Sequence, residues 1–172
     1  MRRLVAAFAL LALVGGSEGC RRRKKVNARE DGLASVVNVA DPADSAQLVR
    51  GFSNVEADAW RWSTSKFSLV LRPPAGAAQA GAKLQLVFTL HDTVVNNLGP
   101  VTVNATVNGT AIGPETFSAA GDYTYSHEVP ASALGSDVVT VEFTTDKALA
   151  PTEKDKRELA LIVKTIGLVP SQ

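Results

Sequence analysis

The chain has few residues of the kinds that form disulfides or bind metal ions in small domains. Its 172 residues include one cysteine, Cys20, and two histidines, His91 and His127. A single cysteine excludes an intrachain disulfide. A zinc finger is also excluded, because such a site needs several Cys and His ligands. The folded part must therefore be held together by its core, for which the chain is long enough.

Motifs of common catalytic sites are missing as well. Beyond residue 33 there is no G-x-S-x-G elbow, no P-loop, no G-x-G-x-x-G after a strand and no H-E-x-x-H. Each histidine stands beside one acid, whereas a metal site needs three or more converging ligands. No pair of carboxylates stands out for glycoside hydrolysis. We predict no enzymatic activity, no metal site and no cofactor, although the acidic residues would permit a structural Ca²⁺.

No apolar run is long enough to cross a membrane as a helix. The longest covers residues 4–14, which is eleven residues, whereas a hydrocarbon core of about 30 Å needs about 20. The run follows Arg2 and Arg3 and precedes several small residues, which is the pattern of a secretory signal peptide. We predict a signal peptide over residues 1–19 and export of the protein.

Cys20 stands directly after that segment, with Ser17 and Gly19 at positions −3 and −1 of a cut before it. The stretch resembles a bacterial lipobox, in which the cysteine is acylated and becomes the mature N-terminus. The usual pattern has Leu at −3 and a small residue at −2, where this chain has Ser17 and Glu18. The resemblance implies a lipid anchor on Cys20, in the periplasm or at the cell surface. Ordinary cleavage at the same bond, leaving a free thiol, is the alternative.

Positive charge is concentrated just after Cys20, while residues 33–172 hold ten Lys and Arg against fourteen Asp and Glu. In a lipid-anchored protein the basic run would contact anionic headgroups, at about 1 kcal/mol per charge. The alternative is a solvated tether without a binding role. A nucleic-acid partner is not expected, because no aromatic residues are interleaved. We predict a lipid-anchored basic tether over residues 20–32. Its charges are Arg21, Arg22, Arg23, Lys24, Lys25 and Arg29.

From about Leu33 the pattern changes to short alternations of apolar and polar residues. Val101–Val107, VTVNATV, is the clearest, and a period of two is typical of a half-buried strand. Asn108 and Gly109 follow it and favour a tight hairpin. Further strands are predicted at residues 36–40, 66–72, 83–90, 110–112, 122–129, 138–144 and 159–169.

No segment has a convincing helical pattern, although residues 129–134 and 152–157 could each hold one turn. About eight strands at intervals of roughly ten residues favour a sandwich or a barrel. We predict an all-β fold, a single antiparallel, jelly-roll-like β-sandwich over residues 33–172. Loops are predicted at residues 73–81, 98–100, 113–114 and 134–137.

Two tryptophans, Trp60 and Trp62, flank Arg61. In an extended segment both indoles face one way and Arg61 faces the other. Exposed Trp pairs can stack on the flat apolar faces of sugar rings. The alternative is that both indoles plug the end of the core, since Trp is highly buried on average.

Residues 154–159, KDKREL, form the densest charge cluster of the folded part. These charges could border a concave site together with acids from elsewhere. They could equally close the edge of the sandwich through ion pairs, which contribute only about 0–1 kcal/mol when exposed. The residues concerned are Asp155, Arg157, Glu158, Glu56 and Asp58.

Five segments together resemble a recurring bacterial jelly-roll domain, over a span of about Val49 to Val169: residues 51–52, 60–62, 67–73, 107–109 and 155–161. The domain is similar to the carbohydrate-binding-like and galactose-binding-like sandwiches that accompany membrane glycosyltransferases and surface enzymes. In that pattern W-R-W begins the sandwich and R-E-L opens the closing strand. The architecture hosts many roles, so the resemblance implies more about fold than about function. The residues that match by position are Trp60, Arg61, Trp62, Arg157 and Glu158.

These observations predict a non-enzymatic cell-envelope lipoprotein whose β-sandwich binds a polysaccharide or glycoconjugate. Trp60 and Trp62 would stack on the sugar. The hydroxyls of the sugar would form hydrogen bonds with the polar side chains of Arg61, Arg157, Glu56 and Glu158. A structural lipoprotein that docks another envelope protein through a sandwich face or edge is the alternative, and a hydrolase is the third.

Overall fold

The computed structural model describes residues 32–171. The predicted signal peptide, Cys20 and the basic run after it lie outside these residues. No described helix is long and apolar enough to span a membrane. The strands are β1 Val36–Asn38, β2 Leu48–Phe52, β3 Arg61–Leu71, β4 Ala82–Leu90, β5 Val101–Val107, β6 Thr110–Phe117, β7 Gly121–Val129, β8 Val139–Thr145 and β9 Ile162–Pro170. Two short helices, α1 Ala77–Ala80 and α2 Asp92–Leu98, and two 3₁₀ turns, Pro42–Gln47 and Ala131–Ala133, complete the fold.

The strands pair antiparallel throughout and form two sheets, which confirms the predicted antiparallel sandwich. In the first, the β4 sheet, β4 lies between β7 and β9, and the other side of β9 pairs with β1 and with the start of β3. The second, the β8 sheet, has the order β2–β3–β8–β5–β6. Strand β3 belongs to both sheets, because Arg61 and Trp62 pair with β9 whereas Lys66 and the residues after it pair with β8.

The core lies between the two sheets and follows the period of two seen in the sequence. In β4 alternate residues are fully buried, and those between them are partly exposed. Side chains of the two sheets meet across the core, with ring centroids 5.0 Å apart for Phe88 and Phe117 and 6.0 Å apart for Tyr125 and Phe143. This packing fixes which residues of each strand face outward.

The β5–β6 hairpin forms where the sequence predicts it. Val107 pairs with Thr110, and the two residues between them, Asn108 and Gly109, have φ angles of 47° and 79°. Both angles are positive, as a two-residue hairpin turn requires.

Several local predictions are wrong. Helix α2 occupies a segment for which no helix was predicted and includes Leu98, which was assigned to a loop; α1 lies inside the predicted loop 73–81. Gly113 and Pro114, also predicted as a loop, lie inside β6. Among the described residues, strand β6 pairs only with β5, and an edge strand tolerates a proline, which has no N–H to donate. Residues 152–157 form no helical turn, whereas a turn does form at Ala131–Ala133.

Strand β2 is an addition to the eight predicted strands. It pairs with β3 through two shifts of register. At Gly51 the φ angle is 80°, and a Cβ atom there would lie 2.3 Å from the carbonyl oxygen of Lys66. Only glycine allows this close approach of the two backbones. The end of β2 is thereby pressed against the middle of β3.

The sandwich has two distinct ends. At one, which we call the tether end, the carbonyl oxygens of Ala34 and Ser35 accept hydrogen bonds from the N–H groups of Arg72 and Leu168. The chain therefore joins the sandwich where β3 and β9 finish. The opposite end, which we call the far end, is where β3 and β9 begin. The eleven residues of β3 connect the two ends over about 35 Å.

Candidate functional site

A cleft of about 520 Å³ opens at the far end, beside the corner where β3 changes sheet. Its walls come from the end of β2, the start of β3 and the segment before β9. Volumes of roughly 300–1,000 Å³ are typical of sites for small ligands. The lining consists of residues 51–54, Trp62, Thr64 and residues 156–158.

Aromatic side chains form the apolar part of the cleft. Trp62 lines it but is only 8% exposed, so most of the indole belongs to the core. Trp60 is partly buried and packs edge-on against Trp62, with ring centroids 6.2 Å apart. Phe52, at the end of β2, is partly buried and packs edge-on against Phe67, with ring centroids 5.5 Å apart. The rings that line the cleft are therefore Phe52 and Trp62, and Trp60 supports the second of them.

A tight turn joins Glu56 to Trp60. The N–H of Glu56 donates to the carbonyl oxygen of Trp60 at 2.8 Å, and the carbonyl oxygen of Glu56 accepts from Ala59 at 3.1 Å. Ala57 and Asp58 form the tip, and each has a φ of 51°. Non-glycine residues rarely adopt this left-handed conformation, so the turn is strained. It places the Glu56 carboxylate beside the segment that precedes β9.

Arg157 joins that carboxylate to Asp155. Its Nη1 lies 2.5 Å from Oε1 of Glu56, and its Nε and Nη2 lie 2.9 and 2.7 Å from the two oxygens of Asp155. These hydrogen bonds from Arg157 lower the pKa of Asp155 to about 2. They also raise the pKa of Arg157 above its ordinary value. The structure therefore brings predicted Glu56 and Arg157 together in what we call the Arg157 clamp, of which Arg157 itself lines the cleft.

Glu158 is tied to the corner of β3. Its Oε1 accepts a hydrogen bond from the N–H of Ser65 at 2.9 Å. Close by, the buried Ser63 accepts a hydrogen bond at Oγ from the N–H of Leu161 at 3.2 Å. The segment before β9 is thus fixed to β3 at two points.

Arg61 does not line the cleft. Its guanidinium donates to two backbone carbonyls, of Val39 at 2.6 Å and of Ser53 at 2.7 Å. It borders a smaller depression of about 190 Å³ next to β2. Its observed role is to connect the segments that follow β1 and β2.

Two polar side chains of the cleft have no bonding partner among residues 32–171. Asn54 and Lys156 are exposed, and neither the amide nor the ammonium group makes a hydrogen bond or ion pair there. The sequence does not single out Asn54, Thr64 or Lys156 as binding residues, because each is an ordinary surface residue type. Only the fold shows that these three residues line the cleft. Within the described part of the chain, no three His, Cys, Asp or Glu side chains converge to hold a metal ion.

No protein-family model and no curated protein matches this chain. Several solved structures are similar to it at low sequence identity. The CBM36-1 domain of a multidomain xylanase from the hindgut metagenome of Trinervitermes trinervoides is 10% identical with a TM-score of 0.45, covering 80% of this chain and 97% of that one. A family 35 carbohydrate binding module from Clostridium thermocellum is 12% identical with a TM-score of 0.44, covering 78% and 97%. A carbohydrate-binding module CBM36 in complex with calcium and xylotriose is 10% identical with a TM-score of 0.43, covering 77% and 98%.

Proposed function

We propose that this protein is an exported, non-enzymatic cell-envelope lipoprotein whose β-sandwich binds a polysaccharide or glycoconjugate in the far-end cleft. The composition of the cleft carries the proposal. Phe52 and Trp62 offer ring surface for the apolar face of a sugar. Asn54 and Lys156 offer donors, and the amide of Asn54 also offers an acceptor, to hydroxyls of the ligand. Apolar walls with a few polar groups are typical of small-ligand sites.

The position of the cleft is compatible with a lipid anchor. The first described residues join the sandwich at the tether end, and the cleft lies at the far end. The twelve residue-to-residue steps from Cys20 to Gly32 reach at most about 43 Å when fully extended. An anchor on Cys20 would therefore hold the sandwich by the end that has no part in the cleft. Glycans outside the membrane would have free access to the far end.

Calorimetric titration of the purified full-length protein tests the proposal. The probes are xylo-, manno- and N-acetylglucosamine oligosaccharides. We expect saturable binding of at least one series, weakened at least tenfold by Asn54→Ala combined with Lys156→Ala. Lys154→Ala is the matched control, because Lys154 is an exposed residue of the same segment that does not line the cleft. Absence of saturable binding by a cooperatively folded protein would reject the glycan site and favour docking of another envelope protein.

A further inference from the structure

Three depressions are contiguous along β2. The cleft shares Gly51 and Phe52 with the smaller depression beside Arg61. That depression in turn shares Arg50 with a groove of about 260 Å³ on the outer face of the β8 sheet. The three depressions therefore follow one another along β2, and a ligand longer than the cleft would pass them in that order.

The groove is lined by two rows of polar side chains. Lys66 of β3 pairs with Thr144 of β8, which pairs with Asn104 of β5, and this makes the first row. In the next row Glu142 of β8 pairs with Thr106 of β5. Adjacent strands lie about 4.8 Å apart, so each row presents polar groups at regular, short intervals. The residues between them in β8 and β5 point into the core.

Most of these polar groups are unused within the described residues. Asn104, Thr144 and Lys66 are exposed, and none of their side chains makes a hydrogen bond or ion pair there. Thr106 also lines the groove, but through its other atoms, because its hydroxyl is inaccessible to solvent.

We propose that the groove is a second subsite, so that the protein binds a long glycan chain across β2. This inference rests on the proposed function of the cleft. Hydroxyls of the chain would bond to Asn104 and Thr144. The Arg50–Glu142 ion pair, at 2.6 Å, lies between the two subsites.

The path is longer than one sugar ring. The five residues of β2 cover about 17 Å, and the three strand intervals from β2 to β5 add about 14 Å. An oligosaccharide must therefore reach a certain length before it touches both subsites. Affinity should rise with chain length, and residues of the groove should affect only the longer ligands.

The test is calorimetry on the full-length protein with di- to hexasaccharides of the xylo-, manno- and N-acetylglucosamine series. We expect at least tenfold tighter binding of the hexasaccharide than of the disaccharide. Thr144→Val combined with Asn104→Ala should abolish this gain and leave disaccharide affinity unchanged. Thr124→Val is the matched control, since Thr124 is an exposed threonine of β7 that does not line the groove. Urea unfolding of each variant verifies that the fold is intact.

Two outcomes would overturn the inference while leaving the cleft as a glycan site. One is disaccharide binding without any gain from greater length. The other is a gain that survives unchanged in the Thr144→Val, Asn104→Ala variant. Failure of every series to bind at any length would instead reject the proposed function of the cleft, and the second subsite with it.

Discussion

The N–H of Ser65 donates a hydrogen bond to Oε1 of Glu158 at 2.9 Å, across a separation of 93 residues. Ser65 lies where β3 has left β9 and has not yet joined β8, and neither it nor Thr64 takes part in a strand pairing. The carboxylate therefore replaces a missing bond of the sheet. The same contact holds the segment of Lys156 and Arg157 against β3, so the corner of the fold also shapes the cleft.

Replacing Glu158 should destabilise this corner. Glu158→Ala leaves the Ser65 N–H without its acceptor, and we expect a loss of about 1–2 kcal/mol in the free energy of unfolding. Glu158→Gln keeps an acceptor oxygen and should recover most of the loss. Urea denaturation measures both. Glu153→Ala, an exposed acid of the same segment, is the control, and equal stability of the two alanine variants would contradict the role of Glu158.

Relief of strain in the turn before Trp60 should stabilise the protein. Ala57 has a φ of 51°, which glycine adopts without penalty. Ala57→Gly should therefore raise the free energy of unfolding, by about 0.5–1 kcal/mol after the entropy cost of glycine. Ala59→Gly, outside the positive-φ positions, should lower it. A decrease in both variants, measured by thermal unfolding, would show that the turn is not strained.

Low pH should weaken the hydrogen bonds between Arg157 and Asp155 by protonating the Asp155 carboxylate. Hydrogen bonds from Arg157 lower the pKa of Asp155 from 3.8 to about 2. A folded-state pKa below the unfolded value means that the contribution to stability is complete above pH 3.8 and is lost as the pH falls through about 2. Asp155→Asn should thus lower the urea midpoint at pH 7 and lower it much less near pH 2, where Asp155 is partly protonated in the folded protein. A difference that is undiminished at pH 2 would contradict this.

High pH should destabilise the protein by ionising Tyr125, whose hydroxyl donates to the carbonyl oxygen of Gly113 at 2.5 Å. Burial raises the pKa of Tyr125 from 10.0 to about 12. Its contribution to stability is therefore complete below pH 10 and is lost as the pH rises through about 12. Absorbance at 295 nm should show a late ionisation that Tyr125→Phe removes and Tyr123→Phe retains. A late ionisation in Tyr125→Phe would assign it to another group.

The sequence predicts those parts of the fold whose signals are local. Val101–Val107 alternates and is followed by Asn108 and Gly109, so the β5–β6 hairpin needs no knowledge of distant residues. Helix α2 has only seven residues, which is too short for a helical period to be recognised. The loop predicted at Pro114 is wrong, because the sequence does not reveal that β6 lies at a sheet edge, where proline is tolerated.

The residues of the candidate site also fall into two groups, those that the sequence predicts and those that only the fold brings to the cleft. Trp62, Arg157 and Glu158 were singled out from residue type and charge, and the structure places all three on one cleft. Arg61 stood in the same motif, yet its guanidinium bonds to carbonyls of two other segments. Asn54 reaches the cleft only because β2 packs against β3. Contacts between distant segments decide these roles, and no pattern along the chain encodes them.

The central proposal is that a glycan binds in the far-end cleft. The most direct measurement is the change in backbone amide chemical shifts of the ¹⁵N-labelled protein during titration with the tightest-binding oligosaccharide. The cleft predicts the largest shifts at residues 51–54, Trp62, Thr64 and 156–158, with little change near Ala34, Arg72 and Leu168 at the tether end. Saturable shifts confined to the tether end, or no shifts at all, would contradict it.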